Sequence, residues 1–171
     1  PAFVPLVKDN LQENLDIASV IGFPYPHTFT EVKIAEAAMA VMEGASEIDY
    51  VLPSSLFLSG NYDDVYMEIT EIKSACQKAK LKVILETGLL NSPVMIKKAS
   101  ILSMAAGADF IKTSTGFGTR GASIEDIEII NKYKNEILEI KASGGIKTME
   151  DAEKYIDMAK EMTRLVESEA N

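Results

Sequence analysis

The sequence predicts an α/β fold with a parallel sheet that is buried on both faces. Apolar, β-branched runs alternate along its 171 residues with longer segments of helical periodicity, and this alternation is typical of βαβ units. Gly-Ala pairs at 44–45 and 107–108 stand between a helical segment and the next apolar run, where a helix is expected to end. The length suits one domain, and no linker composition interrupts it. We therefore expect a single domain over residues 1–171.

The first three βα units follow a short helix that is expected over Val4–Leu11. Their strands are predicted at Ile17–Ile21, Glu47–Leu52 and Lys82–Glu86, and the helices that follow them at Thr28–Glu43, Tyr62–Lys78 and Pro93–Ala106. Apolar residues at helical spacing in the first and third of these helices are expected to face the core. They are Val32, Ala35, Met39, Met42, Met95 and Met104.

The last two units have predicted strands at Asp109–Thr113 and Ile137–Lys141, with helices over Ser123–Tyr133 and from Met149 onward. Ser123 and Thr148 each precede an acidic first turn, which is typical of a helix N-cap. Five strands are thus predicted. An open, doubly wound sheet suits this number and length better than a (β/α)₈ barrel, which needs eight strands and about 250 residues.

Composition excludes several classes of function. The formal net charge of -9 argues against nucleic acid or an anionic membrane as a partner, and no apolar run approaches the roughly 18 residues of a membrane span. No signal peptide is apparent. The single cysteine, Cys76, excludes an intrachain disulfide and agrees with a cytoplasmic location. His27, the only histidine, is expected to lie exposed in a Pro-flanked loop, and one His with one Cys cannot form a usual zinc site.

Two lysines each close a short apolar run and open a turn of small residues. Lys112 is followed by Thr-Ser-Thr-Gly, and Lys141 is followed by Ala-Ser-Gly-Gly. The carboxyl ends of parallel strands are where ligands bind, and a lysine there is either a phosphate ligand or a candidate amine nucleophile. Two inward-pointing ammonium groups roughly 6 Å apart repel by roughly 3 kcal/mol at an effective dielectric of about 20. This repulsion favours the neutral amine of one lysine, which is the form that attacks a carbonyl.

Asp49 is the acidic candidate beside these lysines, because it shares an alternating strand face with Glu47 and Val51. It could pair with the lysine that stays charged and pass protons through a water. Ordinary interpretations remain open. A lysine at a strand end is usually a solvated charge, and Asp49 could cap a turn. Gly144 and Gly145 could serve only turn geometry, although paired N–H groups before a helix also suit a phosphate.

At this point the chain resembles the deoxyribose-phosphate aldolases, a family of class I aldolases. The resemblance covers about Phe3 to Ala159 and consists of five motifs in the family's order and spacing. In one-letter code they are VIGFP at 20–24, GASEID at 44–49, KVILETGLL at 82–90, AGADFIKTSTGF at 106–117 and KASGGIKT at 141–148. The KTSTGF and KASGGI segments together are highly specific.

The resemblance implies a TIM (β/α)₈-barrel fold, of which only about five βα units are evident here. It implies Lys112 as the Schiff-base lysine, Lys141 as the second lysine that promotes loss of its proton, and Asp49 as the acid of a proton relay. By position, Gly116, Gly144 and Gly145 match residues near the substrate phosphate, and Thr115 lines the substrate pocket. The implied reaction is reversible cleavage of 2-deoxyribose 5-phosphate to glyceraldehyde 3-phosphate and acetaldehyde. The resemblance implies no metal or organic cofactor. It also implies a homo-oligomer that acts in deoxynucleotide catabolism.

The chain also departs from the family pattern. The first, second and eighth strands are not recognisable, Pro26 replaces a usual glycine, and Pro53 replaces a common asparagine. An incomplete barrel would have two exposed strand edges. Three explanations stay open: a sequence that omits part of the molecule, a truncation completed by a partner chain, or a degenerate homologue. Two alternative functions therefore remain, a class I aldolase for another phosphorylated carbonyl and an inactive assembly or phosphate-binding module.

Overall fold

A computed structural model describes residues 1–11, 15–90 and 92–169, with side chains as far as residue 160. The five strands are β1 (Ala18–Ile21), β2 (Glu47–Val51), β3 (Lys80–Ile84), β4 (Phe110–Lys112) and β5 (Glu139–Lys141). The helices in chain order are α1 (Val4–Asn10), α2 (Thr30–Glu43), α3 (Ser54–Leu58), α4 (Tyr62–Ala75), α5 (Thr87–Leu90), α6 (Pro93–Ala105), α7 (Ile124–Tyr133) and α8 (Met149–Glu169).

The strands form one parallel sheet in the order β1-β2-β3-β4-β5. Its register sets Asp49 opposite Lys82, and Lys112 opposite Lys141. Among the described residues, β1 and β5 each pair on one side only, so the sheet is open. The predicted α/β class, the five βα units and the parallel pairing are confirmed.

Two short helices, α3 and α5, were not predicted. They contain five and four residues, which is too short for a helical periodicity to show in the sequence. The predicted N-caps are confirmed. Asp126 N donates to Ser123 Oγ at 3.2 Å, and Asp151 N donates to Thr148 Oγ1 at 3.1 Å.

The prediction for the buried face of α2 is wrong. Met39 and Met42 are 65% and 77% exposed, and Val32 and Ala35 are also exposed. The buried residues of α2 are instead Lys33, Ala37 and Ala40. The small alanine side chains let α2 lie close to the strands. The ammonium group of the buried Lys33 forms an ion pair with a partner residue of another helix. In α6, Met95 and Met104 do pack against the core, where they are partly buried.

That partner is Glu68 of α4, which lies at the centre of a buried polar cluster between α2, α4 and β2. Lys33 Nζ donates to Glu68 Oε1 at 2.5 Å and to the carbonyl of Pro26 at 3.3 Å. Tyr50 and Thr30 hydroxyls also donate to the Glu68 carboxylate. Burial, and next the charge of Glu68, raise the pKa of Tyr50 well above its ordinary 10.0, so its hydroxyl remains a donor. The cluster links the β1–α2 loop to the outer helices.

Replacing Lys33 with methionine is expected to lower the free energy of unfolding by about 3–5 kcal/mol. The reason is that Glu68 would stay buried without its cation, and breaking one half of a buried ion pair has this typical cost. Chemical denaturation measures the effect. The matched control is Lys78→Met, which removes an exposed lysine and is expected to change stability by no more than about 0.5 kcal/mol. Equal, small changes in the two variants would contradict the structural role of the cluster.

Cys76 follows the last residue of α4 and is fully buried, as its predicted packing role requires. Burial raises the pKa of its thiol to about 11. Since the thiolate is the reactive form, alkylation by iodoacetamide at about pH 8 is expected to be negligible in the native protein and complete after denaturation. Mass spectrometry before and after adding denaturant measures this. Rapid native alkylation would contradict the burial of Cys76.

Candidate active site

Asp49 is the centre of a cluster of charged side chains at one face of the sheet. The alternation of β2 points Glu47 and Asp49 to the same face, and the register of β3 and β4 brings two lysines to that face. Lys112 Nζ donates to Asp49 Oδ2 at 2.7 Å, and Lys82 Nζ donates to Oδ1 at 3.1 Å. Both oxygens of one buried carboxylate therefore receive a charged donor.

Lys82 and Glu47 extend the cluster, and neither was predicted as a site residue. Lys82 is 2% exposed and also donates to Glu47, so its ammonium group bridges two carboxylates on β2. The signal in the sequence is weak, because Lys82 is simply the first residue of its predicted strand. Its inward direction follows only from the register that sets it opposite Asp49.

The electrostatics of the cluster keep Asp49 ionised. Burial by itself would raise the pKa of Asp49. Hydrogen bonds and charge from Lys112, and then from Lys82, outweigh burial and hold that pKa below its ordinary 3.8. A buried carboxylate with two charged donors is the case in which ion pairing dominates desolvation. The ionised carboxylate of Asp49 can therefore accept a hydrogen bond or a proton from the Lys112 amine.

Lys141 joins the cluster from β5 at a greater distance. Its Nζ lies 3.9 Å from Asp49 Oδ2, the same oxygen that Lys112 contacts. The Lys141 side chain is 42% exposed, whereas that of Lys112 is 11% exposed. The three residues that the sequence singled out thus meet at one carboxylate oxygen, with Lys112 buried and Lys141 at the rim.

The predicted glycines gather in the loops that follow β4 and β5. A Cβ on Gly144 would lie 3.5 Å from the Cα of Gly116, and one on Gly121 would lie 2.1 Å from the carbonyl oxygen of Gly144. Only glycine at position 121 permits this contact between the loops. The sequence analysis did not predict a role for Gly121. Gly145 lies farther from this contact, because a Cβ on Gly145 would be 3.9 Å from the Cα of Gly121.

The backbone of these glycines is suited to an anion. Gly116, Gly144 and Gly145 have φ values of 89°, 81° and 79°, a left-handed conformation that favours glycine. In the part of the chain that the structure describes, their N–H groups donate to no protein acceptor. Successive N–H groups in such turns form anion-binding concavities.

Thr115 lies beside Gly116, but its hydroxyl is already engaged. Both its N–H, at 3.2 Å, and its Oγ1 donate to Glu86 Oε2. Thr115 and Glu86 also line a cavity of about 360 Å³ between the loops after β1, β3 and β4. Apolar and aromatic side chains form much of its wall; they are Pro24, Tyr25, Pro26, Leu89 and Phe117.

A larger cavity, about 610 Å³, lies elsewhere, between α7, β5 and α8. None of the three site lysines lines it, so size does not identify the site. Among the described side chains, no group of three or more His, Cys, Asp or Glu could hold a metal ion. His27 is exposed in its loop as predicted. No helix within the described ranges is long and apolar enough to cross a membrane.

Comparison with known proteins agrees with this arrangement. The family model described as DeoC/LacD family aldolase matches residues 1–167. The deoxyribose-phosphate aldolase of Mycoplasmoides pirum is 49% identical over 160 residues, which cover 91% of this chain and 72% of that protein. The enzyme of the same name from Streptococcus agalactiae is 44% identical over 155 residues, 91% of this chain and 69% of its own.

Solved structures share the fold. An aldolase named QR15 superposes with a TM-score of 0.87 at 42% identity, over 92% of this chain and 70% of its own. The deoxyribose-phosphate aldolase of Aeropyrum pernix, described as having a unique tetrameric structure, has a TM-score of 0.76 at 32% identity, over 88% and 62% of the two chains. The five βα units are therefore a partial TIM barrel. The family match over residues 1–167, together with a relative that is 49% identical, shows that the chain belongs to the DeoC/LacD family of aldolases.

Proposed function

We propose that this aldolase cleaves 2-deoxyribose 5-phosphate reversibly to glyceraldehyde 3-phosphate and acetaldehyde, through a Schiff base on Lys112. The observation that carries the proposal is the buried amine of Lys112, 2.7 Å from the ionised carboxylate of Asp49. An amine that can pass a proton to an adjacent base is the usual arrangement of an amine nucleophile. The curated relatives carry the name of this activity.

In the proposed reaction, the neutral amine of Lys112 attacks C1 of the open-chain aldehyde, and loss of water gives a protonated imine. A base removes the proton of the C3 hydroxyl. The C2–C3 bond then breaks, its electron pair moves toward the imine nitrogen, and glyceraldehyde 3-phosphate leaves. Protonation of the resulting enamine at C2 and hydrolysis release acetaldehyde and return the free lysine.

Asp49 is proposed as the group that exchanges these protons, directly or through a water. Its Oδ2 accepts from Lys112, while Lys82 holds Oδ1 and so fixes the orientation of the carboxylate. Lys141 is proposed to promote loss of the proton from Lys112, because its ammonium group adds a second positive charge at the same oxygen. The scheme uses no metal or organic cofactor.

The substrate phosphate is proposed to bind the N–H groups of Gly116, Gly144 and Gly145. Supporting this are their left-handed backbones, the close approach of Gly116 to Gly144, and N–H groups that the protein leaves without an acceptor in its described segments. A chain of net charge -9 can still bind an anion in this way, because local N–H dipoles act at short range.

The proposed function is tested by measuring catalytic turnover of 2-deoxyribose 5-phosphate. Acetaldehyde released from 2-deoxyribose 5-phosphate is measured with alcohol dehydrogenase and NADH. We expect saturable release that depends on Lys112. A panel of other phosphorylated aldehydes and ketones tests the alternative class I aldolase, which the departures at Pro26 and Pro53 motivate. Turnover of another substrate with none of 2-deoxyribose 5-phosphate would contradict the proposal and support that alternative.

Homo-oligomerisation is also proposed. The tetrameric structure of the Aeropyrum pernix relative supports it, and light scattering after size-exclusion chromatography measures it. Self-association without turnover or imine formation would favour an assembly module instead. The single domain and the cytoplasmic location stay predictions.

A further inference from the structure

Glu86 follows β3 in an environment that is unfavourable for a glutamate. It is 5% exposed and has a φ of 52°, in the left-handed region that side-chain-bearing residues rarely adopt. Within the described residues its carboxylate has no cation at ion-pair distance, and Oε1 has no hydrogen-bond partner. Arg120 is near enough for its charge to interact with Glu86, but its ion pair is with Asp126. Backbone strain and a buried carboxylate with one oxygen left without a hydrogen bond together indicate a residue kept for something other than packing.

The contacts of Glu86 are concentrated on the turn after β4. Oε2 accepts from both the N–H and the hydroxyl of Thr115. Thr115 Oγ1 in turn accepts from the N–H of Phe117 at 3.0 Å. The two neighbours of Gly116 are therefore both tied, directly or through one hydroxyl, to the same carboxylate.

The C-terminal end of the 115–118 turn, at Gly118, packs against the Glu86 carboxylate. A Cβ on Gly118 would lie 2.6 Å from Glu86 Oε1, so glycine at 118 is what allows the chain to pass there. Phe117, between these contacts, packs edge-on against Phe23 of the β1–α2 loop, with ring centroids 5.6 Å apart. Glu86 thus sets the position of the whole segment from Thr115 to Gly118.

We propose that Glu86 is a positioning residue that holds the 115–118 turn so that the Gly116 N–H points at the substrate phosphate. This inference rests on the proposed function, because it assigns Glu86 to phosphate recognition by that site. Glu86 acts through Thr115 and does not exchange protons with the substrate. The free carboxylate oxygen faces Gly118, not Lys112 or Asp49, which have their own hydrogen-bond partners.

The role is tested by comparing a phosphorylated with an unphosphorylated substrate. Glu86→Ala removes the acceptor for two hydrogen bonds. It is expected to raise KM for 2-deoxyribose 5-phosphate about tenfold or more, since two such bonds contribute about 1 kcal/mol each. The kcat and the low kcat/KM for 2-deoxyribose itself are expected to stay within about threefold. Glu86→Gln keeps an oxygen acceptor for Thr115, so both substrates are expected to behave as in the parent protein. Glu71→Ala, at an exposed glutamate of α4, is the matched control.

A second variant keeps the test valid if Glu86→Ala fails to fold. Gly118→Ala leaves Glu86 in the chain but displaces its carboxylate, and it is expected to raise KM for the phosphorylated substrate alone. Equal losses with both substrates would overturn the positioning role. A fall in kcat that is the same in Glu86→Gln and Glu86→Ala would also overturn it, because it would mean that the charge takes part in the chemistry.

Failure of this inference is distinguishable from failure of the proposed function. Acetaldehyde carries no phosphate, so reduction of its imine by borohydride should label Lys112 equally in the parent protein and in Glu86→Ala. No label in the parent protein would contradict the proposed function itself. Labelling in both proteins with unchanged selectivity for the phosphate would contradict only the role of Glu86.

Discussion

Replacing Lys112 with methionine is expected to lower kcat for cleavage of 2-deoxyribose 5-phosphate by on the order of 10⁴-fold or more. Methionine fills a similar volume but has no amine, so no covalent intermediate can form, and loss of an essential nucleophile commonly has an effect of this size. The buried Asp49 would keep Lys82 as a partner at 3.1 Å, so the variant is expected to fold. The coupled acetaldehyde assay measures the change.

Two further variants separate loss of the nucleophile from loss of charge. Lys112→Arg retains a cation beside Asp49 but has no amine that forms an imine at neutral pH, and it is expected to be as inactive as Lys112→Met. Lys78→Met removes an exposed lysine and is expected to retain full activity. Activity of Lys112→Arg close to that of the parent protein would contradict the assignment of Lys112 as the nucleophile.

Replacing Asp49 with asparagine is the second change with a large expected effect, because one carboxylate serves three lysines. The variant is expected to lose about 3 kcal/mol of unfolding free energy, since Lys112 and Lys82 would remain largely buried without this counter-charge. Its kcat is expected to fall about 10²–10⁴-fold, the usual contribution of a positioned acid or base. Urea denaturation and the coupled assay measure the two effects independently.

The pH dependence of this stability difference has a definite sign. The folded pKa of Asp49 lies below its ordinary 3.8, so its ionised form contributes stability above about pH 4, and this contribution is lost as pH falls through the folded pKa. The difference in unfolding free energy between parent and Asp49→Asn should therefore shrink between about pH 5 and about pH 3. A difference that stays constant or grows over this interval would contradict the ion pairs of Asp49.

Much of the site follows from strand alternation. Because residues of one strand alternate between faces, the sequence could place Glu47 and Asp49 together on β2, and could direct Lys112 and Lys141 to the same ligand-binding end of the sheet. The structure brings these residues within hydrogen-bonding or ion-pairing range. Whether they perform the assigned roles is what the variants above test.

The features that were missed depend on relationships between elements. The inward direction of Lys82 requires the register between β2 and β3, and the need for Gly121 arises from a loop that follows another strand. Neither can be read from a local pattern. The face of α2 was assigned wrongly for a similar reason: periodicity favoured its apolar residues, but burial of Lys33 becomes favourable once Glu68, 35 residues away, supplies its partner.

The most direct test of the account is to trap the covalent intermediate. The protein is incubated with acetaldehyde and borohydride, digested, and mapped by mass spectrometry. The account predicts one reduced ethyl adduct at Lys112, with Lys82 and Lys141 unmodified although they share the carboxylate of Asp49. An adduct at either of those lysines, or no adduct at all, would contradict the proposal that Lys112 is the Schiff-base residue.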